Sequence, residues 1–168
     1  MNGFTDRYDN LIKDATAVFL PFGYDWKMLK AQYIAESGLD CTAESGVGAR
    51  GIAQFMPGTW TDVRKNMKLP IGNVCDPADG IKTGAFYMNY LLGQWKSDRT
   101  THDRHCLALA SYNAGLGNLL KAQKLSGGKA DYPSIITCLT KITGKENAKQ
   151  TSDYVVRIMD FHEKLCNA

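Results

Sequence analysis

The chain has 168 residues, 44% hydrophobic and 22% charged, values of an ordinary globular domain that exclude a disordered, collagenous or coiled-coil chain. Its 20 basic and 17 acidic residues leave a formal charge of +3. That helps approach to an anionic polymer but falls far short of a nucleic-acid binder's basic density, and Lys and Arg are scattered, so no nucleic-acid partner is expected.

No stretch reaches the ~18–20 apolar residues of a membrane span, so none is expected. The start, Met1 to Arg7, has neither the basic region nor the apolar run of a signal peptide, so the chain is expected not to export itself. No repeat, low-complexity segment or linker interrupts it, which predicts one domain over residues 1–168. Phe4, Tyr8, Leu11, Ile12, Ala15 and Phe19 recur at helical spacing and place an apolar stripe on a first helix, ended by Pro21 and Gly23. Asp25 can cap a second helix, in which Trp26, Leu29 and Tyr33 continue the period to Gly38; Glu36 then lies in its last turn, beside a loop. Asp76 and Pro77 form a cap and first-turn proline for a helix of about five turns carrying Ile81, Gly84, Ala85, Met88, Leu91, Leu92 and Trp95. Asp103 is read as the cap of the next, which carries Cys106, Leu107, Leu109 and Ala110 to Asn113 and is broken by Gly115 and Gly117 before Asn118 to Lys124. Tyr154, Val155, Ile158, Phe161 and Leu165 form the stripe of a closing helix over 151–165. The expected class is mainly α, with room for a short β-ribbon within residues 39–53.

Four separated pieces carry the functional signal. They are Ala35-Glu36-Ser37-Gly38, the run Gly48 to Thr59, Ala110-Ser111-Tyr112-Asn113-Ala114-Gly115, and Thr151-Ser152-Asp153-Tyr154-Val155. In this order, over residues 20–160, they resemble the catalytic domain of soluble lytic transglycosylases, glycoside hydrolase family 23, which also holds the goose-type lysozymes. The resemblance implies a lysozyme-like fold and cleavage of the β-1,4 bond between N-acetylmuramic acid and N-acetylglucosamine in peptidoglycan. It also implies that one Glu acts first as acid and then as base while the sugar's own C6 hydroxyl attacks, leaving anhydro-muramoyl ends. No cofactor is expected.

Glycosidic cleavage needs a carboxylic acid that stays protonated near neutral pH. A helix C-terminus and apolar neighbours raise a Glu pKa, in other enzymes to about 6, and Glu36 is placed for both effects; the bland alternative is a solvated helix-end charge. Asp40 and Glu44 follow as candidate water-activating bases, or as ordinary loop charges. Gln54 offers a donor and an acceptor for N-acetyl or peptide groups, and the resemblance places it, with Ser37 and Met56, along the substrate groove. Met56 by itself also suits core filling. Gly48 and Gly51 permit either a close backbone approach or plain turn geometry.

Tyr112 and Asn113 suit sugar stacking and amide recognition, against the alternatives of a core aromatic and a helix cap. Tyr154 matches the family tyrosine whose hydroxyl lies near the catalytic Glu; alone it would read as core. Two departures stand out. Gly51-Ile52-Ala53-Gln54 replaces the usual Gly-Leu-Met-Gln, which leaves room beside Gln54 and touches subsite shape, and Ser111 replaces Ala before Tyr112 and Asn113.

The five cysteines, Cys41, Cys75, Cys106, Cys138 and Cys166, form no C-x-x-C pair. Cys41 can staple its loop to Cys75 or be a small buried residue. His102, His105 and Cys106 offer three ligands without a fourth, a poor structural zinc site, so no metal is expected. A compact domain without leader, anchor or wall-binding module fits a bacteriophage endolysin or virion-associated lysin. It would be made in the host cytoplasm, reach the wall through a holin or the phage particle, and act as a monomer on peptidoglycan glycan strands. The rivals are a hydrolytic muramidase using Asp40 or Glu44, and a noncatalytic wall-binding virion protein on the same fold.

Overall fold

The computed structural model describes residues 4–167; the Met1–Gly3 part of the expectation about the start lies outside them. The helices are α1 (Asp9–Phe19), α2 (Trp26–Ser37), α3 (Pro57–Asn66), α4 (Pro77–Gln94), α5 (Thr101–Ala114), α6 (Leu116–Leu125), α7 (Tyr132–Thr143) and α8 (Lys145–Cys166). The predicted mainly α class holds. Residues 39–53 form no ribbon: among the described residues the β-type pairing is two isolated antiparallel bridges, Glu44 with Arg50 and Arg50 with Phe55. No helix among the described residues is long and apolar enough to cross a membrane.

The chain forms two compact units, one of residues up to Asn89 together with those from Ile158 on, the other Tyr90–Arg157. In the first, α1 packs on α2, and Ile12, Ala15, Leu29 and Tyr33 are buried. Phe4 lies outside α1, contrary to the stripe, and meets Phe161 edge-on at 5.5 Å. Leu20, extended at φ −101 and ψ 160 before Pro21, ends α1, because proline disfavours a helical residue before it. Asp25 caps α2 through a bond from the Lys27 amide, and Gly38 closes it at φ 67, the left-handed stop that glycine takes without cost. Asp76 caps α4 by accepting from the Asp79 amide at 2.9 Å. Arg64, 4% exposed, ties α3 to α4 with bonds to the Pro70 carbonyl, Asp79 and Thr83.

The second unit corrects two sequence assignments. Thr100, not Asp103, caps α5: its hydroxyl oxygen accepts from the Asp103 amide at 3.0 Å and donates to the Asp103 carboxylate at 2.6 Å. Asp103 sits in the first turn and also accepts from the Tyr132 amide at 2.9 Å, joining α5 to the start of α7. Gly115 alone breaks α5 from α6, at φ 87, and Gly117 lies inside α6. Ser111 is buried, donates to the Leu107 carbonyl at 2.7 Å and accepts from the Trp95 indole at 3.3 Å. Alanine there would leave a buried indole N–H without that acceptor.

Candidate active site

Glu36 stands in the last turn of α2 and is half-buried. One turn earlier Tyr33, fully buried, donates its hydroxyl to the Ile81 carbonyl at 2.8 Å. Burial first, then the neighbouring Tyr24 and Glu36, push the Tyr33 phenol well above its ordinary value. Burial likewise raises Tyr24, with Asp25 adding to it. Tyr33 therefore couples electrostatically to Glu36, and it did not feature among the expected site residues. The three-residue step from Tyr33 to Glu36 was the available signal, since such residues share a helix face.

The loop after α2 is held against it by the predicted residues. Ser37 donates to the Ile52 carbonyl at 2.9 Å, and Gln54 donates its amide to the carbonyls of Gly51 at 2.9 Å and Ala43 at 3.2 Å. Gln54 takes φ 48, a left-handed conformation that costs about 1–2 kcal/mol for a side-chain-bearing residue. With its NH2 group committed to the loop, the Gln54 carbonyl oxygen is the end it can offer a ligand. Met56 is 44% exposed, so it fills no core. Ala53 is buried, so its small size acts on packing beneath the loop.

The two glycines divide between the readings left open. A Cβ on Gly51 would lie 2.1 Å from the Val74 carbonyl oxygen, at φ 76, whereas Gly48 at φ 87 has nothing within 4 Å. Gly51 serves a close approach and Gly48 a turn.

Neither rival carboxylate is presented freely. Asp40 is exposed and accepts from the Thr42 hydroxyl at 2.7 Å and the Thr42 amide at 2.8 Å, bonds that hold its carboxyl below the usual carboxylate range. Glu44 is exposed and takes the Arg50 guanidinium on both oxygens, at 3.0 and 3.1 Å. The five thiols are unbridged, and Cys41 accepts from the Tyr8 hydroxyl at 3.7 Å. On α5, His105 and Cys106 are buried while His102 is exposed. Burial, then Asp103, pushes the Cys106 thiol up to about 11.

Tyr112, Asn113 and Tyr154 belong to the second unit. Tyr112 is half-buried in the last turn of α5, and Tyr154 is 3% exposed on α8. Asn113 is exposed, and its carbonyl oxygen accepts from the Thr151 hydroxyl at 2.9 Å. Asn113 and Tyr154 line a cavity of about 420 Å3 with Glu146, Lys149, Asp153 and Arg157. Lys149 pairs with Asp153 at 2.5 Å on its exposed rim. Glu146 and Lys149 lie in the first turns of α8, before the closing helix expected over 151–165, whereas Asp153 and Arg157 lie within it but off its apolar stripe.

The transglycosylase SLT domain family matches residues 20–135. The chain belongs to this family. Membrane-bound lytic murein transglycosylase F of Haemophilus influenzae is 32% identical over 136 residues, which are 76% of this chain and 27% of that protein. The 70-kDa soluble lytic transglycosylase of Escherichia coli shares the SLT fold with a TM-score of 0.76 at 25% identity, over 96% of this chain and 24% of that one. A 70-kDa soluble lytic transglycosylase in complex with bulgecin A gives 0.77 at 25% identity, over 98% of this chain and 25% of that one. The SLT chain described here thus spans about a quarter of the length of the relatives it matches.

Proposed function

We propose that the chain is a lytic transglycosylase that cleaves the β-1,4 bond between N-acetylmuramic acid and N-acetylglucosamine in peptidoglycan, with Glu36 as sole acid and base. The observation that carries this reading is the contrast among three carboxylates. Glu36 is half-buried at a helix end, whereas Asp40 and Glu44 are exposed and engaged by Thr42 and Arg50. A hydrolase would need an exposed loop carboxylate to activate water, Glu44 after releasing Arg50 or Asp40 through the oxygen that Thr42 does not hold.

In the proposed reaction the Glu36 carboxyl gives its proton to the glycosidic oxygen as the bond to the muramic acid anomeric carbon breaks. The resulting carboxylate takes the proton of that sugar's C6 hydroxyl, whose oxygen bonds to the anomeric carbon and closes the anhydro ring. Glu36 ends protonated, ready for another cycle. Ser37, Gln54 and Met56 are the proposed substrate contacts of the first unit, and Tyr112, Asn113 and Tyr154 those of the second. Bulgecin A, found in complex with a structural relative, is expected to bind this chain as well.

Mass spectrometry of the soluble products from purified peptidoglycan, wild type beside Glu36→Gln, tests the reading. Anhydro-muramoyl products that vanish in the variant support it. Reducing ends would replace it with hydrolysis, and no products from folded wild type would leave a wall-binding role. The same proposal extends to setting: synthesis in a host cytoplasm and access to the wall through a holin or virion during phage-driven lysis. Lysis that requires a co-expressed holin supports that setting, and lysis without one removes it.

A further inference from the structure

Outside the four motifs, three side chains of the first unit bring different donor atoms together. Asp25 Oδ2 lies 2.7 Å from His162 Nε2, Cys166 Sγ lies 3.5 Å from the same nitrogen, and Cys166 Sγ lies 4.0 Å from Asp25 Oδ2. His162 and Cys166 are one turn apart on α8, so they share a face. Asp25 comes from the N-terminus of α2, where its other oxygen, Oδ1, accepts from the Lys27 amide at 2.9 Å. Lys27 Nζ donates to the Leu165 carbonyl at 2.9 Å, holding the two helix ends together independently of the three donors.

We infer that Asp25, His162 and Cys166 form a binding site for a thiophilic divalent cation of the zinc class. A tetrahedral zinc ion, with bonds of about 2.0–2.3 Å, spaces its donor atoms about 3.3–3.6 Å apart. Of the observed separations, 3.5 Å lies within that spacing and 4.0 Å lies about 0.4 Å beyond it. The third, 2.7 Å, is a hydrogen bond, and the ion takes the place of its proton once the pair opens by about 0.6 Å. Neutral imidazole binds through Nε2 with its single ring proton on Nδ1, and binding releases the thiol proton to solvent. Imidazole, thiolate and carboxylate together suit zinc and cobalt, and the thiolate disfavours magnesium and calcium, which prefer oxygen ligands. His162 and Cys166 are respectively half-buried and exposed, so the fourth position is open to water. The ion ties the start of α2, the helix that ends in Glu36, to the last turn of α8. This inference stands apart from the proposed reaction.

The test is to strip the tag-free 168-residue chain with a chelator and titrate it with Co2+, then with Zn2+ against a chromogenic chelator. A thiolate-to-cobalt charge-transfer band in the near ultraviolet, saturating at one ion per chain and displaced by Zn2+, is expected. Zinc at about 100 times its Kd should raise Tm by roughly 5–10 °C. Cys166→Ser should abolish the band, and it and His162→Ala should each weaken zinc by more than about tenfold, the least that losing even an outer-shell partner costs. Asp25→Asn keeps a capping oxygen and should weaken zinc while the chain stays folded. His102→Ala, on α5, should leave binding unchanged. A titration without a thiolate band, a band that survives Cys166→Ser, or binding lost in His102→Ala would overturn the assignment.

Discussion

Replacing Gly48 and Gly51 by alanine, one at a time, separates a turn from a close approach in a loop where sequence could not. Both glycines have positive φ, 87 and 76, so alanine at either pays the left-handed penalty of about 1–2 kcal/mol. Nothing stands within 4 Å of a Cβ at Gly48, so that penalty is the whole expected cost. At Gly51 the Cβ would sit 2.1 Å from the Val74 carbonyl oxygen and 3.1 Å from its carbon. Backbone cannot rotate aside as a side chain can, so the loop must move, adding about 1–3 kcal/mol. The expected destabilisation is therefore about 1–2 kcal/mol for Gly48→Ala and about 2–5 kcal/mol for Gly51→Ala. Urea unfolding followed by tryptophan fluorescence and by circular dichroism measures both, and coincident curves justify the two-state treatment. Because the Gly51 carbonyl accepts from both the backbone and the side-chain amide of Gln54, Gly51→Ala should also slow release of soluble products from peptidoglycan, with Gly48→Ala close to wild type. Equal stability losses at the two positions would refute the close approach of Gly51 to Val74.

Arg64→Leu should cost about 2–4 kcal/mol by thermal or urea unfolding: it removes the donor to the Pro70 carbonyl, to Thr83 and to one oxygen of Asp79, whose other oxygen keeps the Asn73 amide, and the 31% exposure of Asp79 keeps the loss below that of a fully buried pair. Asp103 carries a pH dependence. The Thr100 hydroxyl first, then the Tyr132 amide, hold its folded-state carboxyl below the ordinary value. Its stabilisation is thus present above the unfolded pKa of about 3.9 and is lost as pH falls through the lower folded value. Asp103→Asn should lower Tm at about pH 6, and its gap to wild type should close toward about pH 3; a gap constant across that range would contradict the assignment.

Local chemistry made much of the fold readable. Asp25 and Asp76 cap where a short acceptor precedes an apolar period, and Gly38 stops α2 because its left-handed φ is cheapest without a Cβ. That stop is also what put Glu36 in a last turn. Where tertiary packing supplies the stability, the sequence was silent. In α7, Ile135, Ile136, Thr137, Thr140, Ile142 and Thr143 have strand-like propensity, yet the segment is helical, packed on α6 with Ile135 and Leu139 buried. In α3 the helix buries Trp60, Val63 and Arg64, too sparse a stripe to read without knowing that Arg64 has partners in α4 and in the segment between.

The candidate site divides in the same way. The residue types and their order in the chain determined the family, the place of Glu36 in a last helical turn and the presence of a glycine-bearing loop after it, because those are properties of local spacing. Only the tertiary structure decided that Glu44 is engaged by Arg50, that Gly51 meets Val74, and that Asp25 meets His162 across 137 positions of chain. Each of these depends on where a side chain or carbonyl points after the chain has folded back, and no one-dimensional pattern records that direction.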